Sequence, residues 1–274
     1  MKICIKNSFS HTNKYIILAT PLILFSLLSS LYLAFTAGSG KLLSMLIAII
    51  LFFLMFSAFL AGWFNMITIS LKDSDRENVN SLMTEFPAGV GEYMLPMMGF
   101  VAITFAISLI LITISTLAGI KLIGSVGIPA EVLAKAMNSA AELKTLLLSL
   151  SETQLIRLNL WNILFFGTMA LTYFLIMFYP AAIFFKKKNP FTALITELKD
   201  LFSMKFFKNI LVFVIIFGLY FILSVAVTLF SSNIVLYFIL TLANFYFMVF
   251  GTVFVFNYYY SNYVKIGSFI DTVV

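Results

Sequence analysis

The chain is nearly without the residues that build catalytic and metal centres. It has one histidine, His11, and one cysteine, Cys4. A single cysteine allows no disulfide within the chain and no cysteine-based metal site. A single histidine excludes an H-E-x-x-H metalloprotease and any histidine-dependent serine or cysteine triad. Charge is scarce too: Asp, Glu, Lys and Arg make up 10% of the residues, against roughly 25% in soluble domains. None of these residues, nor His11, falls in the middle of a long apolar run. A charge there costs at least ~2.5–3.5 kcal/mol on insertion scales, so it is kept for proton relays, ion paths or catalysis. Proton-coupled transport through an intramembrane carboxylate is therefore disfavoured, as is an intramembrane aspartyl protease. Gly40-Lys41 resembles the end of a P-loop. Leu42 follows it and Phe35 stands where the first glycine belongs, so the pattern fails twice. No cofactor, no metal site and no enzymatic activity are expected.

What fills the chain instead is apolar: 62% of its 274 residues are hydrophobic, with 32 Phe and 13 Met. A soluble fold of this length cannot hide so much apolar surface, whereas a bilayer removes the need to. Six runs reach the ~20 residues that a membrane span requires. They cover about 15–35, 42–70, 94–120, 158–185, 209–230 and 234–260. The expected fold is all-α: one integral membrane domain over 1–274, a bundle of six transmembrane helices in three hairpins. Lys2, Lys6 and Lys14 precede the first run as they would in a signal peptide. That run exceeds the ~7–15 residues of a secretory apolar region, so it reads as a retained span.

The connections carry amphipathic segments. Ala37-Gly38-Ser39-Gly40 and Ser231-Ser232-Asn233 are short turns. A helix is expected at about 78–86, broken by Pro87, Gly89 and Gly91 before the third span. Gly124 and Gly127 mark a loop, and an amphipathic helix of about five turns is expected over 129–150. Its near-heptad stripe would serve self-association or cover the membrane surface. Ser151 and Gln154 form a capping box for the next helix. Asn189-Pro190 opens an interfacial helix over 190–204. Its apolar stripe is Phe191, Leu194, Ile195, Leu198, Leu201 and Phe202, with Glu197, Lys199 and Asp200 off it. Each hairpin thus follows a short amphipathic lead-in, through either duplication or chance.

Lys and Arg concentrate on the cytoplasmic side of membrane proteins. Twelve of the 17 fall on the side shared with the N-terminus and five on the other. Both termini are therefore expected in the cytoplasm, at the cell membrane. Lys186, Lys187 and Lys188 carry much of that bias, as a topological anchor or a lipid-headgroup site. Trp63, Tyr179, Trp161 and the run Tyr258, Tyr259, Tyr260 and Tyr263 read as aromatic anchors at the membrane borders. Uncharged polar residues within the spans include Thr104, Ser108, Asn162, Thr241 and Asn244. They serve either as helix-packing contacts or as the lining of a weakly polar cavity, with Asn244 deepest. Expected partners are membrane lipids, a protein partner or further copies of the chain, and no nucleic acid.

Several motifs combine in a recognisable order. Phe86-Pro87-Ala88-Gly89-Val90-Gly91-Glu92-Tyr93 precedes the third span. Tyr179-Pro180-Ala181-Ala182, the lysine triplet, Asn189-Pro190-Phe191-Thr192-Ala193-Leu194, Lys208-Asn209 and Asn257-Tyr258-Tyr259-Tyr260 follow. From Phe86 to Tyr263 the chain resembles a group of prokaryotic six-helix membrane proteins. That group includes YciC-like proteins and the membrane domain joined to some glycerophosphodiester phosphodiesterases. The resemblance implies a six-helix domain without a catalytic centre. The phosphodiesterase part has no counterpart in this sequence, so its activity is not implied. The readings that remain are a non-enzymatic scaffold or accessory protein, and a permease or lipid-handling component.

Overall fold

In a bilayer the backbone N–H and C=O groups find partners only within the protein, so long apolar runs become helices. The computed structural model describes residues 1–36, 42–73, 79–129, 131–132, 136, 139–186 and 189–264. The described residues hold helices and no strand. The helices are α1 (Lys2–Lys14), α2 (Ala19–Thr36), α3 (Leu42–Lys72), α4 (Glu85–Leu122) and α5 (Ala140–Ser149). They continue with α6 (Glu152–Ile176), α7 (Tyr179–Phe185), α8 (Pro190–Leu201), α9 (Phe206–Leu229) and α10 (Ile234–Tyr259). Short 3-10 turns at Ile16–Leu18 and Val79–Thr84 lead into α2 and α4, and a π-turn at Tyr260–Val264 follows α10. Six stretches are long and apolar enough to cross a membrane, as expected. At ~1.5 Å per residue, the 31 residues of α3 extend well beyond a ~30 Å hydrocarbon core.

Three expectations are corrected. Pro87, Gly89 and Gly91 do not break a helix; all three lie inside the first turns of α4. Pro87 has no hydrogen bond to forfeit there. Gly89 meets α3 so closely that an added Cβ would stand 2.4 Å from Cβ of Asn65 and 2.8 Å from the Ala61 carbonyl oxygen. The helix over 129–150 is not continuous. Ser139 is extended, with φ −150° and ψ 131°, and its hydroxyl caps α5 by accepting from the Glu142 N–H. That Ser-x-x-Glu spacing is a start signal, and it interrupts the heptad stripe. The fourth span is broken as well. α6 ends at Ile176, and α7 starts afresh at Tyr179 with Pro180 in its first turn. Proline lacks the N–H that would continue the ladder, and its ring crowds the carbonyl four residues earlier, at Ile176. The lead-in before the first span is an ordered helix, α1. The segments 37–41, 74–78 and 265–274, with Lys187 and Lys188, lie outside the described residues, so the first of the two expected short turns is not described.

The chain forms two units, Met1–Ile103 with Phe174–Val274, and Thr104–Tyr173. In the second unit, Gly124 and Gly127 take positive φ of 78° and 74° in the expected loop. Trp161 Nε1 donates to the Gly124 carbonyl (3.0 Å) and Arg157 Nη1 to the Ser125 carbonyl (2.8 Å), which ties that loop to α6. The Ser115 and Thr168 hydroxyls join α4 to α6 at 2.6 Å. The Ser151–Gln154 box forms reciprocally, at 3.0 and 3.4 Å.

In the first unit the core lies towards one end of the helices. The last third of α10, from Val249 to Tyr259, is mostly buried and packs on α1, α2, α3, α7 and α9. The start of α2 (Leu22) and the later part of α3 (Phe59–Ser70) are buried with it. The opposite ends are apolar and exposed: Leu31 and Phe35 of α2, Leu43 and Leu46 of α3, Leu229 of α9, and Ile234 and Phe238 of α10.

Candidate functional site

α6 has ended two residues earlier, so the backbone N–H of Phe178, at the N-cap of α7, has no helical acceptor. The acceptor comes from another helix. Oε1 of Glu197, on α8, takes the Phe178 N–H at 3.3 Å. Glu197 is fully buried, and its Oε2 has no hydrogen-bond partner among the described residues. Burial pushes this carboxyl well above the usual carboxylate range. The Phe178 N–H opposes the shift, and the negative charge of Asp200 adds to it.

One turn further along α8, Oδ2 of Asp200 accepts from Lys186 Nζ (2.8 Å) and from the Tyr259 hydroxyl (2.6 Å). Lys186 Nζ also lies over the rings of Tyr259 and Tyr263, at 5.2 and 5.6 Å. Asn209, fully buried at the start of α9, completes the knot. Its Nδ2 donates to the Asp200 and Leu201 carbonyls at the end of α8 (3.2 and 2.8 Å). Its Oδ1 accepts from the Tyr258 and Tyr263 hydroxyls (3.1 and 2.9 Å). All four hydrogen-bonding positions of the amide are thus used. Lys205 Nζ donates to the Asn262 carbonyl at 2.6 Å and lies 5.0 Å from the Tyr263 ring centre. Burial lowers its pKa, with Lys208 adding and Asp200 opposing.

This arrangement turns α8 inside out. Ala193, Glu197 and Leu201 face the protein, whereas Phe191 (67% exposed), Ile195 and Phe202 face outward. Phe191, Ile195 and Phe202 belong to the expected stripe, but Leu201, from the same stripe, is buried. An outward phenylalanine row with an inward carboxylate suits a helix lying on lipid, not one washed by water. Tyr258, Tyr259, Tyr179 and Trp63 are buried rather than anchored in lipid, which corrects the aromatic-belt reading. Tyr179 donates to the Pro190 carbonyl (2.9 Å) and Trp63 to the Leu18 carbonyl (2.8 Å), both closing contacts inside the first unit.

A second polar seam holds α1. Ser8 and Thr12 are buried, and Ser8 Oγ accepts from Asn257 Nδ2 at 2.9 Å. Tyr246 donates to Asn13 Oδ1 at 2.7 Å. His11 Nε2 meets Ser70 Oγ at 2.9 Å. The Ser70 hydroxyl is directed at the Ile67 carbonyl (2.8 Å), which leaves the imidazole as donor. Burial, helped by the like charge of Lys14, lowers His11 from 6.5 to about 4. The docked form therefore prefers neutral imidazole. Docking of α1 is expected to hold above pH 6.5 and to loosen as pH falls from 6.5 towards 4. Hydrogen exchange of the α1 amides should show this in the native protein and not in His11→Gln; equal responses would remove histidine from the account. Burial also raises the Cys4 thiol, which keeps it unreactive.

The polar residues singled out from the spans lie elsewhere. Thr241 donates to the Tyr237 carbonyl of its own helix (2.7 Å), and Asn244, three residues on, is half-buried. In the second unit, Ser108 donates to the Thr104 carbonyl (2.8 Å), Thr104 Oγ1 is buried with no partner among the described residues, and Asn162 is exposed. Of the lysine triplet, the described member is Lys186, and its ammonium is committed to Asp200. No group of three or more His, Cys, Asp or Glu that could hold a metal occurs among the described residues.

An all-α bundle with six helices suited to crossing a membrane defines the chain as a multi-pass membrane protein. Comparison with family models, with curated proteins and with solved structures finds no match.

Proposed function

We propose that this is a non-enzymatic membrane scaffold or accessory protein that works through its interfacial helices. It sits in the cell membrane with both termini in the cytoplasm, and α8 and α1 form the surface that contacts lipid and docks protein partners. The reading rests on α8, whose carboxylates are held inside while Phe191, Ile195 and Phe202 face outward. Placement in the YciC-like group belongs to the same proposal, on the motifs from Phe86 to Tyr263. The test is a tryptophan at position 202 in protein reconstituted with brominated phospholipid. The Phe202→Trp protein is expected to show quenching beyond that of its parent, which carries Trp63 and Trp161. Quenching by aqueous iodide instead would place α8 in water and remove the reading.

One observation favours lipid handling as a second reading. A cleft of about 350 Å³ is lined by Pro21, Phe25, Met55, Phe59, Met83 and Phe86, among other apolar residues. Its volume falls in the range of small-molecule sites. One defined lipid retained stoichiometrically in native mass spectrometry would favour this reading over the scaffold.

A further inference from the structure

A buried carboxyl group must be neutral or paired with a cation. Among the described residues Glu197 has no cation of its own. Its hydrogen bond there is to the neutral N–H of Phe178, and the charge that acts on it is that of Asp200 on the same helix. The lysine in the knot is spent elsewhere, since Lys186 is bonded to Asp200 at 2.8 Å. The other ionisable groups around Glu197 come from the two elements packed on α8. Tyr179 of α7 and Tyr259 of α10 lie within its electrostatic reach. Tyr263 and Lys205 lie within reach of Asp200. Among the described residues none of the groups acting on Glu197 supplies a positive charge. Lys186 and Lys205 both act on Asp200, so a retained proton is what neutralises Glu197.

We propose that Glu197 is a resident proton-binding site that ties the seating of α8 to pH. The helix stays seated while the carboxyl carries its proton, and it must shift outward for the proton to leave to water and the carboxylate to be solvated. Among the described residues it is the Glu197 side chain that caps the broken end of the fourth span at Phe178, so unseating also exposes that N–H. The direction follows from linkage. A carboxyl that holds its proton more tightly in the seated state makes that seat strongest in acid, below the ordinary carboxylate range. The advantage declines as pH rises towards the elevated range. This builds on the reading of α8 as the lipid-contacting element and adds the condition under which that contact is held.

Infrared spectroscopy of the reconstituted protein tests it. At neutral pH the native protein is expected to show the carbonyl stretch of a protonated carboxylic acid, absent from Glu197→Gln. Hydrogen exchange of the α8 amides, taken as native over Glu197→Gln at each pH, is expected to rise about tenfold per pH unit above the ordinary carboxylate range. A native spectrum without that band overturns the proposal. So does a band that survives in Glu197→Gln, or an exchange ratio that does not change with pH. Should Glu197→Gln fail to fold, the native protein decides: band loss and α8 exposure sharing one midpoint support the site, and separate midpoints overturn it. If bromolipid quenching at position 202 fails while the band is present, the lipid-contact reading falls and the proton site stands.

Discussion

Replacing Asn209 with leucine is expected to lower stability by about 4 kcal/mol, a loss that single substitutions rarely reach. The side chains are similar in size, so the effect comes from hydrogen bonding rather than from a cavity. Asn209 binds two carbonyls at the end of α8 and two tyrosine hydroxyls at the end of α10. The Asp200 carbonyl retains the Ser203 N–H at 3.3 Å, and the Tyr263 hydroxyl retains Ser203 Oγ at 3.4 Å. The Tyr258 hydroxyl likewise keeps the Tyr263 hydroxyl beside it, so the loss is that of four hydrogen bonds at about 0.5–1.5 kcal/mol each and is greatest at the Leu201 carbonyl. Asn209→Asp, as a buried neutral carboxyl, keeps an acceptor oxygen and one donor of the two, so it should fall between the native protein and Asn209→Leu. Unfolding in detergent or bicelles measures the series. A loss below about 1 kcal/mol for Asn209→Leu would mean that water reaches the knot.

The second large effect is expected at Gly89. An alanine methyl there would stand 2.4 Å from Asn65 Cβ and 2.8 Å from the Ala61 carbonyl oxygen. Neither atom is the free end of a flexible side chain, so α3 and α4 must separate. Asn65 also donates to the Glu85 carbonyl at 2.9 Å, a bond that this separation would stretch. Overpacking of this kind costs about 1–3 kcal/mol, and Gly89→Val should lie at or above the upper end. Gly91 is two residues away on the same helix, with nothing within 4 Å of an added Cβ. Gly91→Ala should be neutral or stabilising by a few tenths to about 1 kcal/mol, since alanine favours helix. Equal losses at the two positions would mean that the close α3–α4 approach is not maintained in the membrane.

The spans were legible because their signal is crude: a bilayer demands about 20 apolar residues in a row, and six runs supply them. Two local caps were legible, at Asn189 and Ser151. Glu197 was not, because it caps a helix 19 residues earlier in the chain. A carboxylate in a charged segment reads as solvent-facing, and no local pattern reverses that. The one available signal was Tyr179-Pro180 within an apolar run, since a proline there can break the helix, and a restarted helix has backbone groups that need partners from elsewhere. α1 escaped because its buried face is Ser8 and Thr12, held by hydrogen bonds rather than by an apolar stripe. The tyrosines at the end of α10 were read as a lipid belt because composition records their amphipathic nature but not their direction.

The one-sided core of the first unit also assigns work to the lipid. Near the knot, protein atoms fill the space between helices; towards Phe35, Leu43 and Ile234 the apolar side chains are exposed. There the acyl chains of a single leaflet take the place of a protein interior. Thinning or delipidating that leaflet should soften the free ends of α2, α3, α9 and α10 while the hydrogen-bonded end stays intact. The first unit is tied together at its hydrogen-bonded end and leaves its other end for lipid to fill.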